Sequence, residues 1–327
     1  MAKQQNTLRS AAEYAGMRFV AGLLSLLPMA LGEMVVCLVA DVWRALDGRH
    51  RNRVVDQAMA RLGIDRAAAE RLARDNYRHY AIVLLEVAKL RRMRREDIAR
   101  RTDLNGCDTV LRDLLAEGRG AIVLTGHLGN WEWGCVAMGM TGGVDGAIAR
   151  PLDNPHIDRY VNDIRMKGGA EVWSKFSCMR KAAATLRRGG GFVAVVDQDA
   201  GKRGCMVPFL DKFGSTMPGP VDLAVRCGAP IYVGAVIRAG EPGRFIVQSG
   251  RVHRPRPGAD PAAERIRLLT EVNADLSAII RKHPEQWIWI HKRWKTAAAG
   301  AVGVGEARRR KECGLPAELI YRGTARS

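Results

Sequence analysis

At 327 residues and 35.9 kDa the chain can bury a substantial core as one large α/β domain or two ordinary ones, which excludes a peptide hormone or a small stapled module. Its 47% apolar and 26% charged residues are those of a globular protein rather than a disordered or multi-span one. The 52 Lys and Arg against 34 Asp and Glu leave +18, so its partners should be polyanions: nucleic acid, anionic headgroups, phosphorylated ligands or acidic carrier proteins. The basic excess is spread along the chain, with no recognition module or aromatic-interleaved stripe, which argues against nucleic acid. Seven cysteines, odd in number and without a C-x-x-C pair, suggest neither a zinc site nor a disulfide framework.

In chain order, the first feature is an uncharged run from Phe19 to Leu31, interrupted by Gly32 and Glu33 and resumed by MVVCLVA up to Asp41. A spanning helix wants about 20 predominantly apolar residues, and this run reaches that only by tolerating Glu33 and Pro28. Residues 1–45 therefore read as a membrane-associating helical segment, interfacial or single-spanning, supported by the basic HRNR from His50 and RRMRRED from Arg91. A cleaved leader and a buried helical hairpin are the competing readings. Residues 53–95 carry helical periodicity (Val54, Ala58, Leu62; Tyr80, Val83, Leu84, Val87, Leu90). Strand-like runs then occupy 120–125, 145–149, 191–196 and 230–237, with helices expected over 107–117, 131–140, 155–168, 178–188, 217–227 and 261–283. This rhythm implies an α/β domain over 46–295, a mixed sheet covered by helices on both faces. The tail, 296–327, has the composition of a poorly ordered basic linker.

The most specific signal is GAIVLTGHLGNWEWG. A strand ends at Thr125, His127 follows at once, and Gly129 and Asn130 turn the chain into a helix that holds Glu132. On one continuous helix His127 and Glu132 would point about 140° apart. The turn instead lets the carboxylate come back to the imidazole, where it would fix the tautomer and raise the basicity of the other ring nitrogen. A loop histidine satisfied by a backbone carbonyl is the competing reading.

GHLGNWE resembles the His-x4-acidic motif of the lysophospholipid acyltransferase superfamily, and the wider pattern resembles its lipid A biosynthesis acyltransferase branch, the lauroyl and myristoyl transferases. The likeness includes ARPLDNP around Arg150, DIRMKGG around Arg165, VVDQDAG at 195–201, VPFLDKFGSTMPGP at 207–220, APIYVGAVIR at 229–238 and PEQWIWIHKRWK at 284–295. It implies a glycerol-3-phosphate acyltransferase-like fold, an acyl carrier protein thioester as donor, a membrane glycolipid hydroxyl as acceptor, no metal and no cofactor. It also implies a place on the cytoplasmic face of a bacterial inner membrane. His127 and Glu132 are then the catalytic residues, and Asn130, Arg150, Arg165 and Asp197 the substrate-binding ones. Lys212-Phe213 stands where the family has a phenylalanine pair, so a different glycolipid such as a phosphoinositol mannoside is the alternative acceptor. Trp287, Trp289 and Trp294, beside His291, Lys292 and Arg293, suit an acyl-chain or membrane interface, with core packing the alternative for Trp287. The rival functions are a hydrolase using water at His127 and a basic membrane-surface protein without catalysis.

Overall fold

The computed structural model describes residues 7–298. The expected tail thus lies, from residue 299 on, outside the described residues. The apolar N-terminal run does not form one rod. Pro28 has no N–H to give to a helix and disfavours helical backbone in the residue before it, and the run divides there into α1 (Thr7–Leu26) and α2 (Met29–Leu46). After α3 (Gly48–Leu62), the long helix α4 (Arg66–Leu90) carries this hairpin. Lys89 on α4 reaches the carbonyl oxygens of Ser25 and Leu27, which end α1 without intrahelical partners. Arg78 pairs with Asp41 on α2 through Nε at 3.0 Å and Nη2 at 2.5 Å.

No helix among the described residues is long and apolar enough to cross a membrane. The single-spanning alternative is thereby corrected: Pro28 and Glu33 divide the apolar length, and each half spends one face on α4. The other face is left uncovered, with Phe19, Leu26, Met34, Leu38, Trp43 and Leu46 each 62–77% exposed.

Beyond α5 (Arg95–Arg100) the chain builds a seven-stranded sheet of order β1-β9-β8-β2-β5-β3-β4. Its members are β1 (Thr102–Asp103), β2 (Ala121–Thr125), β3 (Gly146–Ala149), β4 (Glu171–Ser174), β5 (Gly191–Val195), β8 (Ile231–Arg238) and β9 (Phe245–His253). All neighbours run parallel except β8 and β9. β6 (Cys205–Phe209) and β7 (Lys212–Thr216) form a separate antiparallel hairpin, turned by Leu210 and Asp211 at positive φ. The four strands expected from the sequence are β2, β3, β5 and β8. The others escaped because β1 and β4 are short, and Gln248, Ser249 and Arg251 obscure the alternation of β9.

The expected helices appear as α6 (Cys107–Ala116), α7 (Trp131–Met140), α8 (Pro155–Arg165), α9 (Cys178–Arg187), α10 (Gly219–Cys227) and α11 (Pro261–Lys282). Successive strand residues face opposite sides, so the sheet buries both faces. Ile122, Leu124, Phe192 and Val233 meet α9, α10 and α11, while Val123, Val193 and Tyr232 meet α6 and α7. The mixed, helix-covered sheet agrees with the expectation from the sequence.

The seam between hairpin and domain generates a prediction. Leu85 on α4 is fully buried, and its methyls lie 3.0 Å from where a Cβ on Gly32 of α2 would stand. Leu85→Ala should cost about 2–5 kcal/mol and speed amide hydrogen exchange along α2. A thermal melt with exchange mass spectrometry checks both, and unchanged protection of α2 would show that the hairpin is held elsewhere.

Candidate active site

The site forms where β2 and β5 end side by side. Their parallel register pairs Thr125 with Val195, so His127 and Asp197, each two residues past its strand, emerge as neighbours. Gly126 permits this, because a Cβ there would stand 3.0 Å from Asp197 Oδ2. Gly129, at φ +63°, is required more strictly: a Cβ would lie 2.0 Å from the carbonyl oxygen of Val236. The loop is sewn down by its own backbone. The His127 N–H donates to Asp197 Oδ2 at 2.7 Å, Gly129 N–H to Gln286 O at 3.0 Å and Asn130 N–H to Val236 O at 2.9 Å, while His127 O accepts from Ile288 N–H at 3.2 Å.

The carboxylate on the imidazole is Asp197, not Glu132. Asp197 is fully buried, its Oδ1 lies 2.8 Å from His127 Nδ1, and its Oδ2 also accepts from Trp287 Nε1–H at 2.9 Å. That arrangement places the proton on Nδ1 and leaves Nε2 as the basic nitrogen. Burial disfavours the imidazolium, but the Asp197 charge and hydrogen bond outweigh it and hold the His127 pKa above its ordinary value. Burial likewise works against the Asp197 carboxylate, and the charge and hydrogen bonds of His127, with the Trp287 donor, still keep its pKa below the usual range.

Glu132 turns to a different partner. Its two oxygens take Arg165 Nε and Nη2, each at 2.6 Å, and Oε1 also accepts from Trp131 Nε1–H at 3.1 Å. The expected His127–Glu132 contact is therefore replaced by two separate pairs. The helical turn at Trp131 aims Glu132 toward α8, while β5 delivers a carboxylate from behind the histidine. Arg165, expected to clamp phosphate, has its fork occupied by Glu132 and its Nη1 by Asn162 at 3.1 Å. Asn130, expected to touch substrate, is fully buried: Oδ1 caps α7 by accepting Trp133 N–H at 2.9 Å, and Nδ2 donates to Glu86 at 2.8 Å. Asp197 faces the histidine rather than a sugar. Arg150 alone of the four opens to solvent, its side chain 66% exposed and 3.6 Å from Asp153, immediately after β3.

Trp287, Trp289 and Trp294 are buried in the core. The interfacial belt is thus corrected to a packed aromatic cluster, whose indole at 287 serves Asp197. The sequence reading missed a further layer beneath the loop. Arg238 at the end of β8 gives Nε and Nη2 to Glu86 at 2.6 and 2.8 Å, and its Nη1 meets His79 Nδ1 at 2.8 Å. Glu86 among Val83, Val87 and Leu90 on a helix was the available signal, a charge on an apolar face.

Between α7 and the sheet lies a pocket of about 80 Å³. Val123, Ala147, Val193, Tyr232 and Val236 line it from the strands and Trp131, Cys135 and Met138 from the helix, with Glu132 and Arg165 its charged groups. The Trp131 indole, one wall of this pocket, packs edgewise on His127 at 5.1 Å between ring centroids.

The family model for bacterial lipid A biosynthesis acyltransferases matches residues 1–296. The chain belongs to this family. Among its relatives, the lipid A biosynthesis palmitoleoyltransferase of Escherichia coli (strain K12) is 23% identical over 233 residues, 71% of this chain and 74% of that protein. The lipid A biosynthesis lauroyltransferase of the same organism is 27% identical over 207 residues, 62% of this chain and 65% of that one. It is accordingly an O-acyltransferase of the lipid A biosynthesis type.

The site geometry predicts a pH profile. If neutral His127 is the working form, kcat/KM should fall with acid through an apparent pKa above about 6.5, the unperturbed imidazole value. Asp197→Asn removes the charge that raises it and leaves burial dominant, so the acidic limb should move below that value while kcat drops. An acidic limb that stays in place in Asp197→Asn would show that the pair does not set the protonation of the base.

Proposed function

We propose that the protein moves a fatty acyl chain from an acyl carrier protein thioester to a hydroxyl of a membrane glycolipid of the lipid A precursor type, with His127 as general base. The observation that carries this reading is a histidine oriented by a buried carboxylate beside an apolar pocket. His127 Nε2 takes the proton of the acceptor hydroxyl as that oxygen attacks the thioester carbonyl carbon. The C–S bond breaks, and the proton passes to the departing thiolate. A positioned base is worth typically 10²- to 10⁴-fold, which suffices with so good a leaving group, and no covalent nucleophile is needed. Cys135 suits none, since burial first and then the nearby Glu132 push its thiol up to about 12. The pocket between α7 and the sheet, at about 80 Å³, takes the first few carbons of the acyl chain, and Arg150, exposed at the same end of the sheet, takes a headgroup phosphate. A net charge of +18 favours an acidic carrier protein as donor.

Glu132 and Arg165 then position the pocket entrance. Because the pair is largely buried, removing one partner strands a charge at a cost of about 3–5 kcal/mol. The test separates fold from catalysis. His127→Ala should abolish transfer of laurate from lauroyl-acyl carrier protein to a tetra-acylated lipid A precursor at unchanged melting temperature. Glu132→Gln should lower both melting temperature and transfer, and the Glu132→Gln, Arg165→Met double variant should recover the melting temperature. Transfer retained by His127→Ala would sink the assignment.

The uncovered apolar face of α1 and α2, with Arg44, Arg49 and Arg51 nearby in the chain, serves as a peripheral anchor on the cytoplasmic face of the inner membrane. Replacing the exposed Leu26, Leu38 and Trp43 by Gln should leave the melting temperature within a few degrees and reduce co-sedimentation with vesicles containing anionic lipid. Undiminished sedimentation of the triple variant would place the anchor elsewhere.

A further inference from the structure

Tyr80 is one of the described residues around the site with a buried, unmet polar side-chain atom. It lies on α4 one residue past His79, with its ring 5.2 Å from the His79 imidazole and 6.1 Å from the Trp131 indole. His127 packs against that same indole, so Tyr80 and the base are separated by one ring. The Tyr80 hydroxyl is sealed from solvent, yet no hydrogen-bond partner meets it among the described residues. More than nine in ten buried polar groups have a partner, and leaving one unmet costs about 1–3 kcal/mol. A hydroxyl kept in that state, one indole away from His127, points to a ligand atom.

Acyl transfer needs a donor for the oxygen that becomes negative when the hydroxyl adds to the thioester carbonyl. Several donors around the loop are occupied. The N–H groups of His127, Gly129 and Asn130 all go to protein oxygens, Arg165 to Glu132 and Asn162, and Arg238 to Glu86 and His79. Burial, and then the charge of Asp197, push the Tyr80 phenol well above its usual pKa, so it stays a neutral O–H donor throughout the working range. A donor that satisfies nothing in the free protein loses no hydrogen bond when the transition state forms, which is what differential stabilisation requires.

We propose that the Tyr80 hydroxyl is a catalytic residue, the hydrogen-bond donor to the acyl oxygen in the tetrahedral intermediate. The assignment rests on the acyl-transfer reading above. As the acceptor oxygen bonds to the carbonyl carbon, the C=O pair of electrons moves onto oxygen and Tyr80 O–H binds it. When the C–S bond breaks the carbonyl re-forms and releases the donor.

Tyr80→Phe keeps the ring packing and removes only the O–H. With lauroyl-acyl carrier protein as donor and a tetra-acylated lipid A precursor as acceptor, kcat should fall roughly 10²-fold, the loss typical of one oxyanion donor. Both KM values should stay within about twofold if the contact forms only in the transition state. Any release of laurate to water should fall with it, since that reaction passes through the same oxyanion. The melting temperature should hold or rise, because an unmet buried hydroxyl has been removed. Turnover kept in Tyr80→Phe overturns the assignment, and so does a fall in melting temperature, which would mark a hydroxyl that anchors structure. His127→Ala run in parallel separates the two readings. Transfer lost there but kept in Tyr80→Phe defeats the oxyanion role alone, and transfer kept in both defeats acyl transfer by His127 and the oxyanion role with it.

Discussion

Everything at the site depends on one buried charge. Asp197 has no exposed surface and, among the described residues, no Arg or Lys hydrogen-bonded to it; three donors there hold it, the His127 N–H, the His127 imidazole and the Trp287 indole. Burying a carboxylate in this way is costly unless its lone pairs are met, and here they are met by the groups whose placement matters for the chemistry. The ring cannot turn without breaking the Nδ1 contact, and the loop cannot lift without breaking the backbone one. Asp197 therefore orients the His127 ring, sets its tautomer and raises its basicity with a single side chain.

Around that centre the molecule uses buried ion pairs as struts. Arg238 and Glu86 join β8 to α4, Arg165 and Glu132 join α8 to α7, and Asn130 links the first of these to the N-terminus of α7. Such pairs add little net stability over an apolar core, but breaking one is expensive, so they define position more than they add free energy. Arg293 is the exception. It is fully buried with two hydrogen bonds, to Ser215 O and Thr216 Oγ1 at 2.6 Å, its cation lies over Phe209, and burial brings its pKa down to about 10. It holds the β6–β7 hairpin to the aromatic cluster and thereby seats Trp287 behind Asp197.

The N-terminal hairpin is tied to the same machinery. α1 contacts α8 through Asn154, which donates to Ser10 O at 2.9 Å and Glu13 at 3.1 Å, and α2 packs along α4, the helix that supplies His79, Tyr80 and Glu86. An apolar face docked on a lipid surface would thus sit on the elements that bound the pocket, which suits substrates that arrive from a membrane.

Much of this was legible in the residues themselves. Apolar runs ending at Thr125, Val196 and Ile237, helical periodicity between them, and the Gly-His-x-Gly-Asn turn determined an α/β sheet with His127 at a strand end, because strand and helix periods and glycine geometry are local properties. The partner of that histidine was not local. Glu132 lies five residues away and Asp197 seventy, and sequence distance favoured the wrong carboxylate. Only the parallel register of β2 against β5, set by hydrogen bonds between strands with three α-helices and two other strands between them in the chain, brings residues 127 and 197 to the same level. The same holds for Trp287, whose amphipathic surroundings left interface and core open until packing against Phe209 and Trp294 put it in the core. Composition and spacing determined which chemical groups the chain has at its strand ends; pairing across the sheet decided which of them touch, because contact energies fall off over a few ångströms and the chain brings distant residues that close only after it has folded.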